Sequence, residues 1–176
     1  MSLGLGDPAP AFELPDTDGR GWSLSGESPA TVVVFTCNHC PYALAWHDRI
    51  ATAARDYAQR GVTFLAVNAN DAERYPHDSY EMMQRRVGGE DWPMPYLHDS
   101  SQEVARAFGA EKTPDVFVFD RGGVLRYRGA PDADYDDPSL DAGWLRGALD
   151  AILAGSSPDP AQTRPVGCSI KWKPGA

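Results

Sequence analysis

Residues Thr31 to Phe35 form an unbroken β-branched and aromatic run that leads straight into Cys37-Asn38-His39-Cys40-Pro41-Tyr42. A run that is apolar at nearly every position suits a strand covered on both faces better than one with a wet side. Beyond it the period changes. Leu44, Ile50, Ala51, Ala54, Tyr57 and Ala58 fall on one helical stripe, and Gly61 is placed to end it. A second buried-type strand follows at Val62 to Val67, so the segment predicts a β-α-β unit with a parallel strand pair. The two cysteines therefore stand where a central strand hands over to a helix N-terminus. Backbone N–H groups left unpaired there favour the thiolate, the form of sulfur that attacks disulfides and peroxides.

Around this unit the chain alternates strands and helices. Phe12 to Leu14 and Gly21 to Leu24, separated by Asp16-Thr17-Asp18-Gly19, predict a short hairpin near the N-terminus. Asp78 to Val87 reads as a helix, Gly88 to Pro93 as a loop, and Tyr96 to His98 as a short strand before a helix over Ser101 to Phe108. Asp115 to Phe119 and Val124 to Tyr127 flank the turn Asp120-Arg121-Gly122-Gly123, which predicts a second hairpin. Asp141 to Leu153 reads as the last helix. One domain is expected over residues 1–154, with 155–176 as a tail packed on or near it.

The charge balance narrows the partners. With 25 acidic against 16 basic residues the net charge is −9, so a phosphate backbone would be repelled and nucleic acid is excluded as an expectation. No apolar run is long enough to span a bilayer, and Met1 to Pro8 shows neither the basic nor the apolar part of a secretory leader, so a cytoplasmic protein is expected. Three cysteines are too few for a secreted disulfide scaffold, and the odd number leaves at least one free or exchanging thiol. Cys37, Cys40, His39 and His47 lie close together, but a closed zinc site needs four converging ligands from separated pairs, and no metal is expected. The nucleotide-binding glycine motifs are missing, and no cofactor is expected. Trp22, Trp46, Trp92, Trp144 and Trp172 read as packing residues, and Asp71, Glu73 and Asp78 as a solvated loop and an acidic helix start.

The order of these segments, with Ala9-Pro10-Ala11-Phe12-Glu13-Leu14-Pro15-Asp16, Cys37 to Pro41, Thr113-Pro114 and Val116 to Gly123, resembles the peroxiredoxin-like branch of the thioredoxin-like redoxins, the alkyl hydroperoxide reductase/thiol-specific antioxidant superfamily. The resemblance covers roughly residues 6–154. It implies an α/β thioredoxin-like fold with an N-terminal β-hairpin, a central mixed sheet and flanking helices. It implies a redox-active cysteine, a protein or low-molecular-weight thiol or disulfide as partner with peroxide as the alternative, and a monomer or homodimer. It also implies that Thr113-Pro114 is a cis pair facing that cysteine.

Two registers are open for the attacking thiol. In one, Cys37 attacks and Cys40 resolves. In the other, favoured here, Phe35 matches the family's strand phenylalanine five residues ahead of the nucleophile, and Pro41 in the first helical turn puts Cys40 at the N-cap. Cys37 or Cys168 then resolves. His39 either adds charge beside the thiolate or fills an exposed turn; Cys168 either resolves or packs passively, with Gly167 permitting a close approach and Ile170 and Trp172 anchoring the tail. The chain departs from the peroxidase pattern, because Cys37 stands three residues before Cys40 and Thr36 one further. Arg121 and Arg126 do not replace the peroxidase arginine, and Thr31 or Val34 stands where thioredoxins bury an acid. The expected activity is thiol–disulfide exchange. The alternatives are a thiol peroxidase and a noncatalytic redox-sensing module.

Overall fold

The computed structural model describes residues 3–90 and 92–175. Met1 and Ser2, at the start of the stretch read for a leader, and Asp91, within the loop read over Gly88 to Pro93, lie outside the described residues. The first hairpin is shorter than expected, with β1 (Leu14–Pro15) pairing antiparallel with β2 (Gly21–Trp22). Asp16 closes it by accepting the Asp18 and Arg20 N–H groups and the Trp22 indole.

The central sheet has five strands: β3 (Ala30–Phe35), β4 (Thr63–Asn68), β5 (Tyr96–His98), β7 (Asp115–Asp120) and β8 (Leu125–Gly129). Their order is β5-β4-β3-β7-β8; β3, β4 and β5 run parallel, while β7 and β8 are antiparallel to their neighbours, so the sheet is mixed. Side chains alternate between its faces. Val32, Val34, Phe64, Ala66, Val116 and Val118 enter one core cluster with α1 (Pro41–Ala58) and α4 (Gly143–Leu153). Val33, Phe35, Leu65, Val67, Phe117 and Phe119 enter the other, with α3 (Glu103–Phe108) and Ile170 of the tail. This two-sided burial is why β3 carries no polar alternation.

Several boundaries differ from the sequence reading for local reasons. The buried face of α1 is Ala43, Trp46, Ile50, Ala51, Ala53, Ala54 and Tyr57, whereas Leu44 and Ala58 are exposed. Each of those two follows a buried residue by one position, a rotation of about 100° away from the sheet. The helix expected from Asp78 begins later, as α2 (Tyr80–Gly89), and continues through two glycines assigned to a loop. Ser79 caps it by accepting the Met82 N–H, and Pro76–Asp78 form a preceding 3-10 turn. Asp71 and Asp78 are 2% and 0% exposed, which corrects their reading as solvated acids. The tryptophans pack as expected, with Trp46 fully enclosed and the other four against the two clusters.

The tail crosses the domain as a strap. Its β9 (Cys168–Ser169) pairs antiparallel with β6 (Lys112–Thr113), and Ile170 is 3% exposed within the core. Lys171 is bound on both sides: its N–H donates to Asn70 Oδ1, and its carbonyl accepts the Asp71 N–H and the Gln102 amide. No helix among the described residues is long and apolar enough to cross a membrane.

Candidate active site

Because β3 and β7 are antiparallel, with Phe35 opposite Asp115, the chain leaving β3 and the chain entering β7 meet at one end of the sheet. That geometry brings residues 36–40 against Thr113-Pro114, whose peptide bond is cis. Cys40 is the N-cap of α1 with extended backbone, Pro41 occupies the first turn, and no side chain caps the helix. The first-turn N–H groups are left without a side-chain partner, and the Ala43 N–H favours a thiolate on Cys40. Cys40 is 2% exposed and Cys37 1%, and with Ala43 they form a small cluster against which Tyr42 and Cys168 pack.

Three sulfurs therefore share one site. Cys37 and Cys168 both lie beside Cys40 and act on its ionisation. The Cys37 hydrogen bond is the largest influence on Cys40; with those from Cys168, Ala43 and Thr113 it outweighs desolvation and lowers the Cys40 thiol to about 4. The same bond, followed by burial and the nearby Asp78 carboxylate, pushes Cys37 far up. Cys168 is raised to about 11, by desolvation and then by its bond to Cys40. Ionisation is thus favoured at Cys40 over its two neighbours. Thr113 joins them: its carbonyl lies 3.3 Å from Cys40 Sγ, and its hydroxyl lies 3.5 Å from Cys37 Sγ and donates to the Cys168 carbonyl at 3.4 Å.

The remaining sequence candidates serve this arrangement differently. Thr36 extends the β3–β4 ladder by donating its N–H to Val67, and its side chain is half-buried. His39 is exposed, yet it fills no idle turn. Its Nδ1 lies 2.9 Å from Asp78 Oδ2, on the Cys37 side of the loop, and its ring stacks on Tyr75.

Sequence reasoning missed two residues that build the loop. Asp78 accepts the Asn38 N–H and Asn68 Nδ2 on Oδ1 and Asn70 Nδ2 on Oδ2, with His39 Nδ1 beside Oδ2. A buried acid is thus present after all, supplied by the 3-10 turn rather than by β3. Arg86 of α2 donates to the Cys37 carbonyl and Asn38 Oδ1, and its guanidinium covers Trp92. A signal for Asp78 did exist, since Asn68 closes a buried strand and Asn70 follows, and buried amides need partners. Cys37, His39 and Asp78 also bring ligand atoms within 4.8 Å of one another. Three ligands fall short of a closed zinc site, and the Asp78 carboxylate already accepts three hydrogen bonds.

Comparison with known proteins places this geometry. An uncharacterised conserved protein from Geobacillus kaustophilus superposes with a TM-score of 0.93 at 42% identity, over 99% of this chain and 95% of that one. A hypothetical protein from Sinorhizobium meliloti does so with a TM-score of 0.93 at 38% identity, over 99% and 98%. An exposed lipoprotein thioredoxin from Streptococcus pneumoniae shares the fold at 20% identity and a TM-score of 0.60, over 72% of this chain and 93% of that one. No curated protein matches. The AhpC/TSA family model matches residues 5–128, a span that contains the cysteine at the α1 N-cap position, the Cys37–Cys40 loop and the cis pair at Thr113-Pro114. With its thioredoxin-like fold and a cysteine pair at the start of α1, the chain belongs to the AhpC/TSA family.

Proposed function

We propose that the protein is a thiol–disulfide oxidoreductase in which Cys40 attacks and a neighbouring cysteine resolves. The observation that carries this reading is the Cys40 sulfur at a helix N-cap, clustered with Cys37 and with Cys168 packed against the pair. The thiolate attacks one sulfur of a substrate disulfide, forming a mixed disulfide and expelling the other sulfur as a thiolate. Cys40 then no longer carries the charge that held a proton on its neighbours, so a neighbouring thiol ionises more readily. That thiol, once deprotonated, attacks Cys40 Sγ and releases the second substrate thiolate.

Family membership implies partners that carry thiols, disulfides or peroxide. Two features favour disulfide over peroxide. The position three before Cys40 holds a thiol rather than a hydroxyl, and Arg86 is engaged by the Cys37 carbonyl and Glu90. Trapping tests the assignment. With Cys37 and Cys168 both replaced by serine, Cys40 is expected to retain a covalent partner that reductant releases; with Cys40 replaced, no partner is retained. Retention by Cys37 in Cys40→Ser would reverse the register.

A further inference from the structure

The strap formed by residues 167–173 lies where a polypeptide substrate would have to lie. A chain bringing its disulfide to Cys40 must run beside Thr113, because the Thr113 carbonyl is 3.3 Å from Cys40 Sγ and the Lys112–Thr113 backbone is the strand edge next to it. An open strand edge is what an extended peptide adds to. Here Cys168–Ser169 already pairs with that edge, and the Ile170 N–H donates to Glu111 O. The contact is tight: a Cβ on Gly167 would lie 2.2 Å from Thr113 O. The strap is also fixed downstream by Ile170 in the core and by the bonds from Asn70, Asp71 and Gln102, with Gln102 Oε1 accepting the Lys173 N–H as well.

Its cysteine occupies the place of a substrate sulfur. Cys168 is paired opposite Thr113, packs on the Cys37–Cys40 cluster, and is half-buried where Cys37 and Cys40 are enclosed. The charges around the two candidate resolvers also differ. Asp78 disfavours a thiolate at Cys37, whereas Lys171 and Lys112 favour one at Cys168, and Lys112 Nζ bonds Ser169 Oγ at 3.3 Å.

From this we infer that the strap is a built-in occupant of the polypeptide edge, so that Cys40 takes a slim low-molecular-weight disulfide as its substrate and Cys168 is the resolving thiol. The inference rests on Cys40 as the attacking thiolate. In the first step the Cys40 thiolate bonds to one sulfur of RS–SR, and RS⁻ leaves. RS⁻ takes the proton of Cys168 and departs as RSH. The Cys168 thiolate then bonds to Cys40 Sγ, breaking the bond to R and releasing the second RS⁻, which is protonated from water. The small disulfide gains two electrons, and the Cys40/Cys168 pair loses them.

Single-turnover reaction of the reduced full-length protein provides the test, with 2-hydroxyethyl disulfide as the small probe and insulin as the polypeptide disulfide. Each rate is divided by that of free glutathione with the same probe. The small disulfide is expected to be preferred by at least about tenfold, since access controls exchange. Most of that preference should vanish in full-length Gly167→Ala and Ile170→Ser, each first checked for a native circular dichroism spectrum. Peptide mapping of the product should show Cys40–Cys168. Equal normalised rates for the native protein, or a stable Cys37–Cys40 product in place of Cys40–Cys168, would overturn the inference and leave the proposed function standing. Normalised rates no greater than one with both probes would overturn the proposed function as well.

Discussion

Cys40→Ser is expected to lower disulfide exchange by at least about a thousandfold, the scale on which removal of a nucleophile acts. A serine hydroxyl at the same N-cap would sit beside the same two thiols, but it would not ionise near neutral pH. The folded state should change little, because serine is well suited to an N-cap and Cys40 makes no side-chain cap of its own. Reduction of a chromogenic disulfide, compared with a thermal melt of the same variant, separates the two effects. Activity within about tenfold of the native protein would show that Cys37 or Cys168 attacks independently.

Asp78→Ala is expected to destabilise the protein by on the order of 3 kcal/mol, read from urea unfolding. Donors from Asn38, Asn68 and Asn70 converge on this carboxylate beside His39, and Asp78 itself is fully buried. Alanine strands those donors in or near the interior, where water replaces the lost acceptor poorly. It should also loosen the Cys37–His39 turn, since the Asn38 N–H is fixed there by Asp78 at 2.7 Å. Cys37 should alkylate faster in this variant, because the carboxylate disfavours its thiolate. Asp78→Asn keeps one acceptor oxygen and the side-chain volume, so it should lose less. A destabilisation below about 0.5 kcal/mol for the alanine variant would assign Asp78 a surface role.

The central architecture was legible because strong local signals agreed. Continuous apolar runs marked β3, β4 and β7, and a change of period after Pro41 marked α1. The N-cap position of Cys40 followed from the proline beside it. What escaped was nonlocal. Nothing near Asp78 in sequence shows that Asn38 lies 2.7 Å away, so an acid ahead of a helix looked solvated. Arg86 likewise reaches the Cys37 carbonyl from α2, a contact set by how α2 packs rather than by any motif.

The tail was legible in part. Gly167, Ile170 and Trp172 marked it as anchored, but anchors do not specify the surface they meet. Only the fold shows that the surface is the Lys112–Thr113 edge beside Cys40. The exposure of Leu44 and Ala58 has a simpler cause. In a helix rich in alanine, neighbouring stripes have similar apolarity, and the position of the sheet decides between them.

Peptide-resolved alkylation of the reduced native protein with iodoacetamide, followed from pH 5 to pH 8, tests the central claim that Cys40 carries the thiolate. A thiol lowered to about 4 is already ionised across that range, so the Cys40 rate should stay nearly flat. An ordinary thiol accelerates about tenfold per pH unit over the same interval, because its thiolate fraction rises with pH until its own pKa is reached. Cys37 and Cys168, both raised, should label far more slowly and still be accelerating at pH 8. A Cys40 rate that climbs about tenfold per unit like a free thiol, or labelling of Cys37 ahead of Cys40 at pH 5, would contradict the account.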